Sequence, residues 1–305
     1  MPTTLTTLPA KVEITEVGLR DGFQSIKEWI PTGIKREIAE LLIACGFRKI
    51  EATAFVSPKA IPQMADAAEL LQGLKQAHPD VCLAALTPNL KGVTNAIAAG
   101  ADEVTYIVSA SERHNQENTR QSIAQSLQGL HDVMQVKDAA SLYLAIPTAF
   151  ICPWTGKVPH DNVLRIIEHG LSAGVDSFGV ADTIGAADPR MVAELATLLH
   201  ERFPQASIGY HFHDTRGMGL ANVLAAIQSG ATRFESSIGG LGGCPFAPGA
   251  AGNIATEDLV NMLDSMGIQT GIDREALLRA VYRSEELLPV PLAGRLGKAF
   301  SCATH

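Results

Sequence analysis

Cysteine is scarce in this 305-residue chain, and its five occurrences (Cys45, Cys82, Cys152, Cys244 and Cys302) form no CxxC pair. An odd count at such spacing excludes a disulfide scaffold or a zinc ribbon and fits a reducing compartment. Apolar runs of membrane-spanning length are absent, so no transmembrane segment is expected. Basic charge is also short. The 24 Lys and Arg stand against 32 Asp and Glu, a formal charge of −8, and they are scattered. That balance argues against a nucleic-acid partner or a polybasic membrane surface. The N-terminal MPTTLTTLPAKVE has no apolar h-region and no Arg before Arg20, so neither a signal nor a transit peptide is expected and the expected location is cytoplasmic.

What is present is a chain that is 46% apolar and 18% charged, enough to bury a sizeable core. Short strand-like runs alternate with helix-like stretches in eight rounds between about residues 12 and 267. The strands fall at VEITEVG (12–18), KIEATAF (49–55), VCLAALT (81–87), EVTYIVS (103–109), LYLAIPTAF (142–150), SFGVADT (177–183), IGYHFHD (208–214) and RFESSIGG (233–240). Amphipathic segments lie between them, such as GIKREIAELLIACG (33–46), HDNVLRIIEHGLSAG (160–174) and DPRMVAELATLLHERFP (188–204). Gly46, Gly100 and Gly174 close three such segments just before a strand, where a left-handed helix cap would use glycine. Eight rounds in about 250 residues predict a single α/β domain, a TIM (β/α)8 barrel. A doubly wound sheet usually has fewer strands and a GxGxxG turn after the first, whereas GLRDGFQ stands here. Residues from about 268 to 305 are expected to form a helical C-terminal extension packed on the barrel.

Barrel chemistry sits where strands end, which makes the polar residues there the suspects. His211 and His213 are two apart in GYHFHD, so a strand points both imidazoles to one face, as a metal site needs. One buried and one exposed histidine would fit the pair alone equally well. Asp21, just after the first strand, borders the same cavity in a closed barrel and tips the balance toward a hard oxygen-and-nitrogen site for Mg²⁺ or Mn²⁺. Arg20 either pairs with a neighbouring acid or stabilises negative charge developing on a substrate oxygen. Glu51 and Asp182 are acids on apolar strands, costly unless paired or working, and each either holds an Arg or His in place or moves a proton. The stretch GGLGGCPFAPGAAGN (239–253) allows close backbone approach and lid-like movement. Cys244 within it is either a small apolar turn residue or an acid, base or nucleophile.

These segments resemble the 3-hydroxy-3-methylglutaryl-CoA lyase family, within the wider group of metal-dependent barrel lyases and Claisen-type synthases. The resemblance runs through EVGLRDGFQS (16–25), IEATAFVSPKAIPQMAD (50–66), LTPNLKG (86–92), ADTIG (181–185), HFHDTRGMGLAN (211–222) and GGLGGCPFAPGAAGNIATEDLV (239–260). The cysteine-bearing glycine loop is its most specific part. The resemblance implies that Asp21, His211, His213 and Asn253 ligate a divalent cation, Mg²⁺ or Mn²⁺. It implies that Arg20 faces the thioester oxygen and that Cys244 is catalytic. Gln24, Glu51, Asp182 and Glu257 would surround them, with His211 or Asp21 among the candidate bases. The implied substrate is an acyl-CoA thioester and the implied assembly a homodimer.

Several positions depart from the family pattern. Leu19, Phe23 and Ser25 stand where Pro, Leu and Asn are common, Gly179 replaces a frequent Ser, and 109–120 differs. None removes a ligand or the thiol, but they alter the surroundings of the acyl group, so a different C3 substituent on the substrate is open. Two alternatives stand beside the lyase. One is a Claisen-type condensing enzyme, though such relatives usually carry further C-terminal domains and lack the cysteine loop. The other is a catalytically silent barrel that binds metal or acyl-CoA.

Overall fold

In the segment His160–Ser172 the buried residues Val163, Ile166, Ile167 and Gly170 recur at steps of three and four, so one stripe of the helix is apolar and packs inward. Pro189–Arg202 repeats the pattern with Val192, Leu195, Ala196 and Leu199, and starts on Asp188, whose side chain accepts from the Met191 N–H at 2.9 Å. Each fully buried Leu, Ile, Val or Phe of this kind contributes about 1.5–3 kcal/mol.

The computed structural model describes residues 8–243 and 252–301. Its eight parallel strands close into a barrel: β1 (Glu13–Glu16), β2 (Lys49–Ala54), β3 (Cys82–Thr87), β4 (Glu103–Ile107), β5 (Ser141–Ile146), β6 (Ser177–Asp182), β7 (Ser207–Phe212) and β8 (Arg233–Ser236). Neighbours pair in chain order, and β1 closes the ring on β8 from Glu13 with Arg233 to Glu16 with Ser236. All eight predicted strands are therefore found, but several stop early. The run LYLAIPTAF ends at Ile146 because Pro147 has no N–H for a ladder and Thr148 turns to φ 53°. The chain then forms a small antiparallel hairpin, Ile151–Cys152 with Gly156–Lys157. The run RFESSIGG ends at Ser236 and tightens into a 3-10 turn at Ile238–Gly240.

Gly46, Gly100 and Gly174 have φ of 111°, 93° and 91°, so the helix-closing glycines sit in the left-handed region as their position predicted. Three helices follow β8: Thr256–Ser265, which completes the eighth strand–helix round, then Arg274–Leu287 and Arg295–Ser301. The second of these packs on the first barrel helix, Thr32–Ala44, and Arg283 Nε meets Glu37 there at 2.8 Å.

Barrel interiors are usually layered with branched aliphatic side chains. This one is polar. Thr15, Lys49, Glu51, Glu103, Tyr143 and Glu235 are among the side chains lining an internal cavity of about 10 Å³. Lys49 Nζ and Glu103 pair at 2.7 Å within it. No helix among the described residues is long and apolar enough to cross a membrane.

Candidate active site

The site begins where β1 ends. The Val17 carbonyl accepts the N–H groups of Arg20, Asp21 and Gly22, at 2.8 Å for Asp21, so the chain coils into one wide turn, Gly18–Gly22. Gly22 lets that turn press on the segment after β8, for a Cβ there would lie 2.9 Å from the Leu241 Cβ. The turn carries Arg20 and Asp21 side by side at the strand C-termini. Glu16, fully buried beneath it, accepts from the N–H of Gly18 at 2.8 Å, from that of Ile238 at 2.9 Å and from the Thr256 hydroxyl at 2.7 Å. Burial pushes its carboxyl up to about 7 in spite of those bonds.

Arg20 is buried between two acids. Its Nε and Nη2 each lie 2.5 Å from Glu51 Oε2, and Nη1 lies 2.5 Å from Asp21 Oδ1. Gln24 Nε2 donates to the same Asp21 oxygen at 2.9 Å. The other oxygen, Oδ2, accepts from Asn253 Nδ2 at 2.6 Å and lies 3.8 Å from His213 Nε2. Burial opposes ionisation of Asp21, but Arg20 and the two histidines outweigh it and bring its carboxyl down to about 2. Burial and the neighbouring His211 bring His213 down to about 4. Burial resists protonation of His211 as well, but the hydrogen bond and charge of Glu235 win and move it up. For Glu51, burial prevails over Arg20 and moves its carboxyl upward.

Asn253 arrives from far along the chain by backbone pairing. It forms a bridge with His213, while the Asp214 N–H donates to the Gly252 carbonyl at 2.8 Å. Two glycines allow this closure. A Cβ on Gly242, at φ 131°, would stand 2.5 Å from Asn253 Nδ2, and one on Gly252 would overlap the Gly242 carbonyl. Cys244 lies outside the described residues, between these two ends.

Of the residues singled out from sequence, the structure gathers Arg20, Asp21, Gln24, Glu51, His211, His213 and Asn253. Asp182 is at the end of β6, where its two oxygens accept from the N–H groups of Ala186 and Ala187 at 3.0 and 2.9 Å, tying down its own loop. Burial raises its pKa against those two hydrogen bonds and, more weakly, the charges of Arg216 and His211. Glu257 opens the helix after the glycine segment and accepts from the Gly239 N–H at 3.0 Å, and burial lifts its carboxyl to about 7. Sequence reading missed Glu235, whose Oε2 takes the His211 Nδ1–H at 2.8 Å. An acid on a barrel strand two residues from Arg233 was the available signal, the same one that marked Glu51.

One ligand atom each from Asp21, His211 and His213 lies within 4.8 Å of the others, a spacing one cation spans. The donor set fits a hard divalent ion, since it offers carboxylate oxygen and imidazole nitrogen and no described thiolate. Asn253 Oδ1 is buried without a hydrogen-bond partner, a fourth donor and a second oxygen for such an ion.

Fold and donor set together define a class: parallel α/β barrels with a candidate metal centre at the C-terminal mouth. The family model described as HMGL-like matches residues 11–282. The chain is 44% identical over 276 residues to the mitochondrial hydroxymethylglutaryl-CoA lyase of Rattus norvegicus, covering 90% of this chain and 85% of that protein. The solved HMG-CoA lyase of Bacillus subtilis superposes with a TM-score of 0.93 at 42% identity, over 96% of this chain and 99% of that one. An HMG-CoA lyase from Acinetobacter baumannii, solved with coenzyme A and 3-methylmalate, superposes with a TM-score of 0.89 at 41% identity, over 98% and 97% of the two chains. The chain belongs to the HMGL-like family of lyases.

Proposed function

We propose that this chain is a carbon–carbon lyase that splits 3-hydroxy-3-methylglutaryl-CoA, or a close 3-hydroxyacyl-CoA, into acetyl-CoA and a 3-oxo acid such as acetoacetate. The observation that carries it is the meeting of Asp21, His211, His213 and Asn253 at one barrel mouth beside a buried Arg20. Those four residues would hold a divalent cation, Mg²⁺ or Mn²⁺. Such an ion, when bound, acidifies and orients a coordinated hydroxyl.

The reaction breaks the C2–C3 bond. The hydroxyl on C3 loses its proton to a base at the site, Asp21 or a bound water, since His211 is occupied at both ring nitrogens once it holds the cation, and C3–O becomes a carbonyl. The electron pair of the broken bond passes to the thioester as an enolate, whose oxygen faces the Arg20 guanidinium. Arg20 suits that role because Glu51 and Asp21 hold it in place before substrate arrives. Protonation of C2 completes acetyl-CoA, and Cys244 is the proposed donor. Supporting this, its neighbour Gly243 belongs to the glycine neck, where a Cβ would lie 3.4 Å from that of Ser25, four residues after Asp21. Gln24 would keep Asp21 oriented, and Asp182 and Glu257 would hold the surrounding loops.

The Acinetobacter protein, solved with 3-methylmalate, favours testing more than one acyl group. Cleavage is measured across a panel of 3-hydroxyacyl-CoA thioesters in chelator and with added Mg²⁺ or Mn²⁺. Metal-dependent release of acetyl-CoA from at least one member is expected, and complete inertness leaves only a silent acyl-CoA-binding barrel. Cys244→Ala is expected to bind metal and fail to cleave. A cytoplasmic location and a homodimer complete the proposal, to be checked by fractionation and light scattering.

A further inference from the structure

His211 has a second line of contacts, running away from the mouth into the barrel. Its Nδ1–H is taken by Glu235 at 2.8 Å, which leaves Nε2 as the ring atom free for a ligand. Tyr143 lines the same small cavity as Glu235, and its hydroxyl helps to keep the Glu235 carboxyl ionised. Tyr143 stands on β5 and Glu235 on β8, so the phenol must cross the inner faces of β6 and β7. Both strands carry glycine beneath it. A Cβ on Gly179 would overlap the hydroxyl and stand 2.6 Å from Cζ, and one on Gly209 would lie 2.7 Å from the hydroxyl oxygen. Lys49 Nζ lies 5.1 Å and Arg233 Cζ 5.9 Å from the ring centroid, fixing the phenol by cation–π contact as well. If this layer only filled space, apolar side chains would fill it without burying an acid and a hydroxyl. Gly179 thus acquires a reason: it is the vacancy that the tyrosine needs.

We propose that Tyr143 and Glu235 are positioning residues, Tyr143 fixing the Glu235 carboxylate and Glu235 fixing the His211 ring with Nε2 turned to the cation. The proposal rests on reading His211 as a metal ligand. Outer partners of metal-bound histidines set ring orientation and ligand strength, so their loss is felt in metal affinity before any chemistry occurs. Tyr143 acts only through Glu235, which makes the two effects non-additive.

The test is Mn²⁺ affinity, read by electron paramagnetic resonance without substrate, in the wild type, Tyr143→Phe, Glu235→Gln and the double variant. Glu235→Gln should weaken Mn²⁺ about 10–100-fold. Tyr143→Phe, which keeps the ring and removes only the hydroxyl, should weaken it about 3–10-fold. The double variant should bind no more weakly than Glu235→Gln alone. The Co²⁺ absorption spectrum should shift in both single variants and kcat should fall, while KM for the thioester stays at the wild-type value. Melting of the metal-free proteins verifies that each is folded. Wild-type Mn²⁺ binding with unchanged affinity in both single variants overturns the positioning roles and leaves the metal reading standing. Additive losses in the double variant overturn the relay from Tyr143. A wild type that binds no Mn²⁺ overturns the metal reading itself.

Discussion

Replacing Arg20 separates what its guanidinium does for the fold from what it does for a reaction. Arg20→Gln removes three contacts of 2.5 Å at once and leaves the Glu51 and Asp21 carboxylates without their shared buried cation. Breaking a buried ion pair in this way costs about 3–5 kcal/mol. In a chain of this size, with an unfolding entropy of about 2.1 cal/mol/K per residue, that is a fall of about 5–8 °C in Tm. Glu51 is already pushed by burial toward its neutral form, so part of the loss is relieved by protonation, and the lower half of the range is expected. Arg20→Lys keeps the charge, but an ammonium cannot place one donor group on Glu51 and another on Asp21 in the planar geometry of a guanidinium. Its Tm should fall less. Its kcat should still fall by about 10²–10³, the usual effect of losing an aligned donor to a developing oxyanion. The assay is thermal unfolding by circular dichroism beside steady-state release of acetyl-CoA. An Arg20→Lys protein with a lowered Tm and wild-type kcat would make Arg20 a structural strut and refute its assignment to the enolate.

Three further outcomes follow from other residues. His213→Ala should weaken Mn²⁺ by more than the ~10–100-fold typical of outer partners, since it removes a ligand outright, and titration calorimetry measures this. Glu16 carries a folded pKa of about 7 against an ordinary 4.5, so its protonated form is the one the fold favours. Its stabilisation is complete below pH 4.5 and lost as pH rises through 7, about 3 kcal/mol by pH 8. Glu16→Gln, whose amide can accept from Gly18 and Ile238 and donate to Thr256, should flatten Tm between pH 5.5 and 8, and an unchanged slope would refute the assignment. Glu257, also at about 7, keeps part of the slope in that variant. Gly46→Ala should lower Tm with kcat per folded molecule unchanged, because φ 111° adds about 1–2 kcal/mol of backbone strain and its Cβ would meet the Gly271 carbonyl.

The fold was largely legible in the sequence because each strand is a short apolar run punctuated by glycine or a polar end, and local chemistry makes both. Gly46, Gly100 and Gly174 are local signals and proved to be left-handed caps. Legibility failed where a strand's end depends on backbone detail, as at Pro147 and Thr148. Of the candidate site, Asp21, His211 and His213 were readable because strand period and strand end fix where they point. Glu235 was readable in principle and overlooked. Tyr143 was not, since nothing local ties it to Gly179 and Gly209, which lie 36 and 66 positions further on in the numbering. That relation exists only once three strands stand side by side.

Why the interior should be polar follows from the demands on the mouth. Arg20 can hold a fixed orientation only if its hydrogen bonds are made before substrate arrives, which requires Glu51 below it as well as Asp21 beside it. His211 can present one nitrogen outward only if the other is tied from within, which requires Glu235. Each buried acid then needs its own donor, because an unpaired carboxylate would be neutralised or would open the barrel. Glu235 finds Tyr143 and Glu103 finds Lys49. The requirement for fixed charges at the strand ends is therefore met by a descending series of partners. Aliphatic layers would have given a stabler barrel, but with free rotation in the arginine and the imidazole. The polar interior gives up some stability for a mouth whose charged groups are oriented in advance.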